Sequence, residues 1–96
     1  MSFAVIASFT IDPTNAKAFE AALKVLTEAT RREPGCIQYD VHTSSDTEGA
    51  YFIVELYATE KDYLSHREQQ HILDFRQIAA PLFKEPPVVL RGAQAW

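Results

Sequence analysis

Apolar and polar positions alternate at the spacing of strands in four stretches and recur at the spacing of helices in two. Phe3, Val5, Ala7, Phe9 and Ile11 alternate with Ala4, Ile6, Ser8 and Thr10, which predicts a first strand buried mainly on one face. Asp12-Pro13 then offers an N-cap followed by proline at the first helical position, with Thr14 as an alternative cap. Phe19, Ala22, Leu23, Leu26 and Ala29 follow at helical spacing until Glu33-Pro34-Gly35 stops the helix, since proline cannot continue it. Cys36 to Thr43 predicts a second strand, with Ile37, Tyr39 and Val41 on one face and Gln38, Asp40 and His42 on the other. Ser44 to Gly49 is a turn-rich connector short enough for a hairpin into a third strand, Tyr51 to Ala58. Thr59-Glu60-Lys61-Asp62 resembles a capping box, with Asp in place of the usual Glu or Gln, and opens a second helix whose apolar face starts with Tyr63 and Leu64. Glu68-Gln69-Gln70 interrupts the apolar pattern, after which His71, Phe75, Ile78 and Leu82 recur at helical spacing. Lys84-Glu85-Pro86-Pro87 ends it, and Val88 to Trp96 supplies the last strand. The order strand, helix, strand, strand, helical region, strand is the split βαβ arrangement: a ferredoxin-like α+β fold, one domain over residues 1–96, with helices on one face of an antiparallel four-stranded sheet.

The third strand is apolar on both sides. Ala50, Phe52, Val54, Leu56 and Ala58 form an uninterrupted apolar row, expected to lie beneath the helices, whereas Tyr51, Ile53, Glu55 and Tyr57 form a mixed row. A strand of this kind is normally covered on both faces. Ninety-six residues leave too little chain for two layers of helix, so the mixed row is expected to meet a second copy of the protein.

Composition narrows the function classes. With 47% hydrophobic and 23% charged residues the chain reads as an ordinary globular domain, and no run approaches the roughly 18 apolar residues of a membrane span. A cytoplasmic location is the expectation. A net charge of −4 with scattered basic residues provides no stripe for phosphate backbones, so nucleic acid is not an expected partner. The single Cys36 excludes an internal disulfide framework.

Candidate chemistry concentrates between Gly49 and Phe75. His71 shares a helical stripe with Phe75 and is expected to point inward, and the break at Glu68-Gln69-Gln70 can bring His66 to the same cavity. Glu55 is the one carboxylate in a largely buried row and needs a hydrogen-bond partner or a proton there. Tyr51, Tyr57, Tyr63 and Phe75 offer aromatic walls for a substrate, with core packing as their ordinary role. Two histidines and a carboxylate suit an iron-type ion in principle. On a continuous helix, however, an i, i+5 pair stands about 140° apart, which disfavours a shared ion, and no metal is expected.

Pro34-Gly35-Cys36 followed by Tyr39, then Phe52-Ile53-Val54-Glu55-Leu56-Tyr57, then His66, His71 and Phe75, then Pro86-Pro87 before the last strand, together resemble the antibiotic biosynthesis monooxygenase domain. The resemblance implies a homodimer whose sheets pack face to face into an α+β barrel, with a pocket between sheet and helices in each subunit. It further implies oxygenation of a small phenolic or hydroquinone-type molecule by O2 with no cofactor. In that reading His71 is the base, His66 or a tyrosine hydroxyl the hydrogen-bond donor, and Glu55 the orienting group. Relatives that degrade haem carry an asparagine and a tryptophan where ungapped matching finds Ala7 and His66 here, which argues against that branch. Two alternatives accompany this expectation: an isomerase or sugar-phosphate-handling enzyme using Arg67, Arg76 or Arg91, and a non-catalytic dimer that binds an aromatic metabolite.

Overall fold

A computed structural model describes residues 1–96. The elements are β1 (Phe3–Thr10), α1 (Ala16–Thr30), β2 (Cys36–Thr43), β3 (Ala50–Tyr57), α2 (Glu60–His66), α3 (Gln70–Ala79) and β4 (Val88–Ala93), with single 3-10 turns at Pro13–Asn15 and Ala80–Leu82. The sheet is antiparallel throughout in the order β2-β3-β1-β4. This is the ferredoxin-like α+β arrangement expected from the sequence, with β3 inserted between the parallel pair β1 and β2. No helix is long and apolar enough to cross a membrane.

Local signals act where the sequence places them. Asp12 caps the opening 3-10 turn by accepting from Thr14 N at 3.0 Å, and α1 grows from it. Thr59 caps α2 by accepting from Asp62 N at 3.1 Å, while its own hydroxyl donates to the Asp62 carboxylate at 2.9 Å. The reciprocal bond therefore reaches the Thr59 hydroxyl, whereas a full capping box would return to the Thr59 backbone N–H. Gln69 is the extended residue between α2 and α3, so the interruption read at Glu68-Gln69-Gln70 is a real break in the helix.

Helices α1 and α3 pack on one face of the sheet through Phe19, Leu23, Leu26, Ile72, Phe75 and Ala79. Phe19 holds the centre, with its ring centroid 5.1 Å from Tyr51 and 6.0 Å from Phe75. Fully burying a side chain of this size stabilises the fold by roughly 1.5–3 kcal/mol.

Three expectations are corrected. The helix-covered row of β3 is the mixed one: Tyr51, Ile53, Glu55 and Tyr57 are all buried, whereas Phe52, Val54 and Leu56 lie half-buried on the open face. The polar tips are satisfied, because Tyr51 Oη donates to the exposed Glu20 at 2.6 Å and Tyr57 Oη donates to the buried Glu55 at 2.6 Å. In β2 the register shifts between Cys36 and Gln38, which ejects Ile37 to 61% exposure and brings Cys36 onto the face of Tyr39. In α3 the buried stripe is Ile72, Phe75 and Ala79, which shares only Phe75 with the expected one, so Ile78 is exposed and His71 only half-buried.

Candidate functional site

The turn after α1 places the decisive carboxylate. Glu33 N donates to Thr30 O at 3.0 Å and Cys36 N donates to Glu33 O at 3.1 Å, which folds residues 30–36 tightly against the helix end. Gly35 passes so close to the start of α2 that a Cβ there would overlap the Asp62 side chain. Ala58 N donates to Gly35 O at 2.9 Å and pins the turn to the end of β3. Glu33 is thereby held against the α2–α3 break.

At that break the two imidazoles converge. Glu33 Oε2 lies 2.8 Å from His66 Nδ1 and 2.5 Å from His71 Nε2. His66 ends α2 and His71 occupies the first turn of α3, so the kink at Gln69 removes the 140° separation of a continuous helix. The side chains of His66, Glu33 and His71 are 4%, 12% and 21% exposed, a gradient from core to solvent. Burial holds the His66 pKa below its ordinary value, and the Glu33 carboxylate opposes that shift. With Nδ1 engaged on Glu33, His66 Nε2 makes no hydrogen bond to protein.

His66 is also part of the wall of an apolar cavity of about 150 Å³ between sheet and helices. Val5, Ala7 and Ile53 form its sheet side, Tyr63, Ile72 and Phe75 its helical side, and Arg67 and Arg76 reach it from the surface. Glu55 projects into the same space from β3. Its pKa is raised to about 7, chiefly by burial; the Tyr57 hydroxyl partly offsets this and the Glu33 charge adds to it. A carboxyl so poised can hold or release a proton near neutrality. Burial and the adjacent Glu55 push the Tyr57 phenol well above its ordinary range, so it stays a neutral donor.

The remaining sequence candidates divide between this cavity and its surroundings. Tyr63 and Phe75 line it, as does Tyr39. Tyr57 is fully buried behind it and acts on Glu55, while Tyr51 lies apart, joined to Glu20 beside a surface groove. His71 faces away from the cavity into an outer hollow of about 340 Å³ shared with Arg32, Glu33, Asp62 and Gln69. A larger depression, about 530 Å³, is a groove open to solvent between α1 and the β2 edge, and it contains none of Glu33, Glu55, His66 or His71. The Cys36 thiol is raised to about 11, mainly by burial, so it carries no thiolate at neutral pH. Glu33 itself escaped the sequence reading because its only mark was membership of a helix-stopping tripeptide.

Comparison with known proteins places these features in context. The sequence profile of the family described as antibiotic biosynthesis monooxygenase matches residues 2–78. The Mycobacterium tuberculosis protein Rv0793, to which a monooxygenase activity is ascribed, is 34% identical over 86 residues, covering 90% of this chain and 84% of its own. Its structure superposes with a TM-score of 0.91 at 32% identity over 98% of this chain and 95% of that one. A protein of Nitrosomonas europaea, also named for antibiotic biosynthesis monooxygenases, gives a TM-score of 0.93 at 26% identity over 99% and 91% of the two chains. The Shewanella oneidensis protein SO0527 gives 0.88 at 30% identity over 97% and 90%.

Proposed function

The chain belongs to the antibiotic biosynthesis monooxygenase family, and from that premise we propose that it oxygenates a small phenolic or hydroquinone-type molecule with O2. The observation that carries this reading is His66: one ring nitrogen is held by Glu33 and the imidazole forms part of an apolar cavity that also receives Glu55. The cavity, about 150 Å³, is smaller than the ~300–1,000 Å³ of sites for drug-sized ligands and suits a single-ring substrate.

The chemistry asked of the protein is a proton transfer. A free phenol has a pKa near 10 against about 6.5 for imidazole, so the site must also favour the phenolate. His66 Nε2 takes the proton, and Glu33 stabilises the imidazolium that results. Glu55, in its protonated form, donates a hydrogen bond to the developing oxyanion. The phenolate is electron-rich enough to reduce O2 itself, and no separate electron carrier enters the balance. Hydroquinone plus O2 gives hydroxybenzoquinone plus water, with one oxygen atom entering the ring and the other leaving as water. The placement favours His66 over His71 as the base, because His71 does not reach the cavity.

We propose further that the working unit is a homodimer. The open sheet face carries Ile6, Phe52, Val54, Leu56, Val88 and Leu90, an apolar surface suited to a second copy. A second enzymatic reading draws on Arg67 and Arg76, which reach the cavity and could hold the anionic group of an isomerase or sugar-phosphate substrate.

Oxygen consumption in the presence of a panel of substituted hydroquinones tests the leading reading. Uptake above autoxidation that is lost in His66→Gln is the expected result. Turnover that persists without oxygen favours the isomerase, and binding without turnover favours a metabolite carrier.

A further inference from the structure

His66 Nδ1, His71 Nε2 and a Glu33 carboxylate oxygen lie within 4.8 Å of one another. The three come from three separate places in the chain: the turn after α1, the last residue of α2 and the first turn of α3. A lone hydrogen-bond partner would have sufficed to fix the His66 tautomer, yet two imidazoles aim their nitrogens at the same carboxylate oxygen, at 2.8 and 2.5 Å. Two neutral imidazoles and one carboxylate are the donor set preferred by borderline divalent ions, and three protein ligands with an open fourth position form a recurrent zinc geometry.

We propose that Glu33, His66 and His71 form a binding site for one divalent transition-metal ion of the zinc type. Nitrogen and oxygen ligands sit at about 2.0–2.2 Å from zinc, which puts tetrahedral ligand atoms roughly 3–3.5 Å apart. The two oxygen-to-nitrogen separations are somewhat shorter, while the three atoms together span up to 4.8 Å, so the Glu33 oxygen must withdraw and the two imidazoles draw together as an ion replaces the two shared protons. The outer hollow of about 340 Å³ beside Glu33 and His71 gives the ion access and leaves room for a water ligand. Asp62 lines the same hollow and adds a negative charge near the path.

Occupancy changes the nitrogen that serves the cavity. Metal on Nδ1 forces the proton of neutral His66 onto Nε2, which turns an acceptor into a donor. If His66 is the base of the proposed oxygenation, a consequence that rests on that reading, the zinc-loaded protein is inhibited. Zinc is redox-inert and would act here as a regulator of the proton transfer.

Calorimetric titration of untagged, chelator-treated protein with zinc chloride tests the site without any substrate. The expected result is saturable binding of one ion per chain in the micromolar range or tighter, weakened at least tenfold in both His71→Ala and Glu33→Gln and unchanged in His42→Ala. Cobalt(II) substitution should give the visible absorption of a four-coordinate ion, and ¹⁵N NMR should show the His66 ring proton moving from Nδ1 to Nε2. Absence of saturable binding, or binding that survives both substitutions in variants whose circular dichroism is unchanged, overturns the proposal. An active protein that binds zinc with no loss of oxygen uptake would keep the site and remove His66 as the base.

Discussion

Glu33 Oε2 stands 2.8 Å from His66 Nδ1 although 33 residues separate the two in sequence. The contact engages the imidazole by one nitrogen, and in the proposed oxygenation, where the other nitrogen takes the proton, Glu33 is a positioning residue. In Glu33→Gln the amide oxygen can still accept from Nδ1, but the charge that stabilises an imidazolium is gone. The expected outcome is a fall in kcat/KM of about 10- to 100-fold with KM little changed, at or below the lower end of the roughly 10²–10⁴-fold of a general acid or base itself, because Glu33 acts through His66. Steady-state oxygen uptake with an active hydroquinone checks it; an unchanged rate would leave Glu33 a purely structural link.

The buried Glu55 makes stability depend on pH. Its folded pKa is raised from 4.5 to about 7, chiefly by burial, so between those values the folded chain binds more protons than the unfolded one. Its contribution is therefore greatest below pH 4.5 and is lost as pH rises through 7. The amplitude is on the order of 3 kcal/mol if the whole shift is expressed. Glu55→Gln keeps an acceptor for Tyr57 Oη and should flatten the profile between pH 5 and 8, which urea denaturation across that range would show.

That carboxylate also marks where sequence reasoning reached its limit. The element order and the capping of α2 were legible because they depend on neighbours in the chain, such as Thr59 with Asp62. Which face of β3 the helices cover was not legible, because the polar tips in the mixed row are satisfied by partners the periodicity does not reveal. Tyr51 finds Glu20 across 31 residues, and Tyr57 finds Glu55 two positions away on its own face. Once those hydroxyls are paired, a row containing two tyrosines and a glutamate buries better than its hydropathy suggests. Glu33 was hidden for a related reason: its role appears only when the turn after α1 meets the kink at Gln69.

Gly49 should tolerate no side chain. Its φ of +82° lies where L-residues are strained, and a Cβ there would come 2.3 Å from the Ile11 carbonyl oxygen. The backbone cannot retreat freely, because Ile11 N donates to Gly49 O at 2.8 Å and ties the β2–β3 hairpin to the end of β1. Gly49→Ala is expected to destabilise by at least ~1–3 kcal/mol. A calorimetric Tm lowered by roughly 4–8 °C per kcal/mol would match that cost, whereas an unchanged Tm would mean that the hairpin can shift to another turn geometry.

The last prediction concerns the open face of the sheet. Pairing aligns Val54 with Ile6 and Ile6 with Leu90, and on the next row Phe52 with Ser8 and Ser8 with Val88, so apolar side chains run across three adjacent strands. Ile6, Val88 and Leu90 are 44%, 59% and 65% exposed in the single chain. An apolar surface continuous over three strands is difficult to keep in water at the concentrations of a soluble protein, and a second copy laid face to face removes it. The chain should therefore sediment as a dimer. Placing a carboxylate on that face, in Ile6→Glu, introduces a charge that a face-to-face contact would bury without a partner, at a cost of several kcal/mol. The variant should shift to monomer at micromolar concentration while keeping the circular dichroism of the fold, since Ile6 points away from the helices and contributes little to the core beneath them. A wild-type monomer in sedimentation velocity, or a dimer indifferent to Ile6→Glu, would place the interface elsewhere.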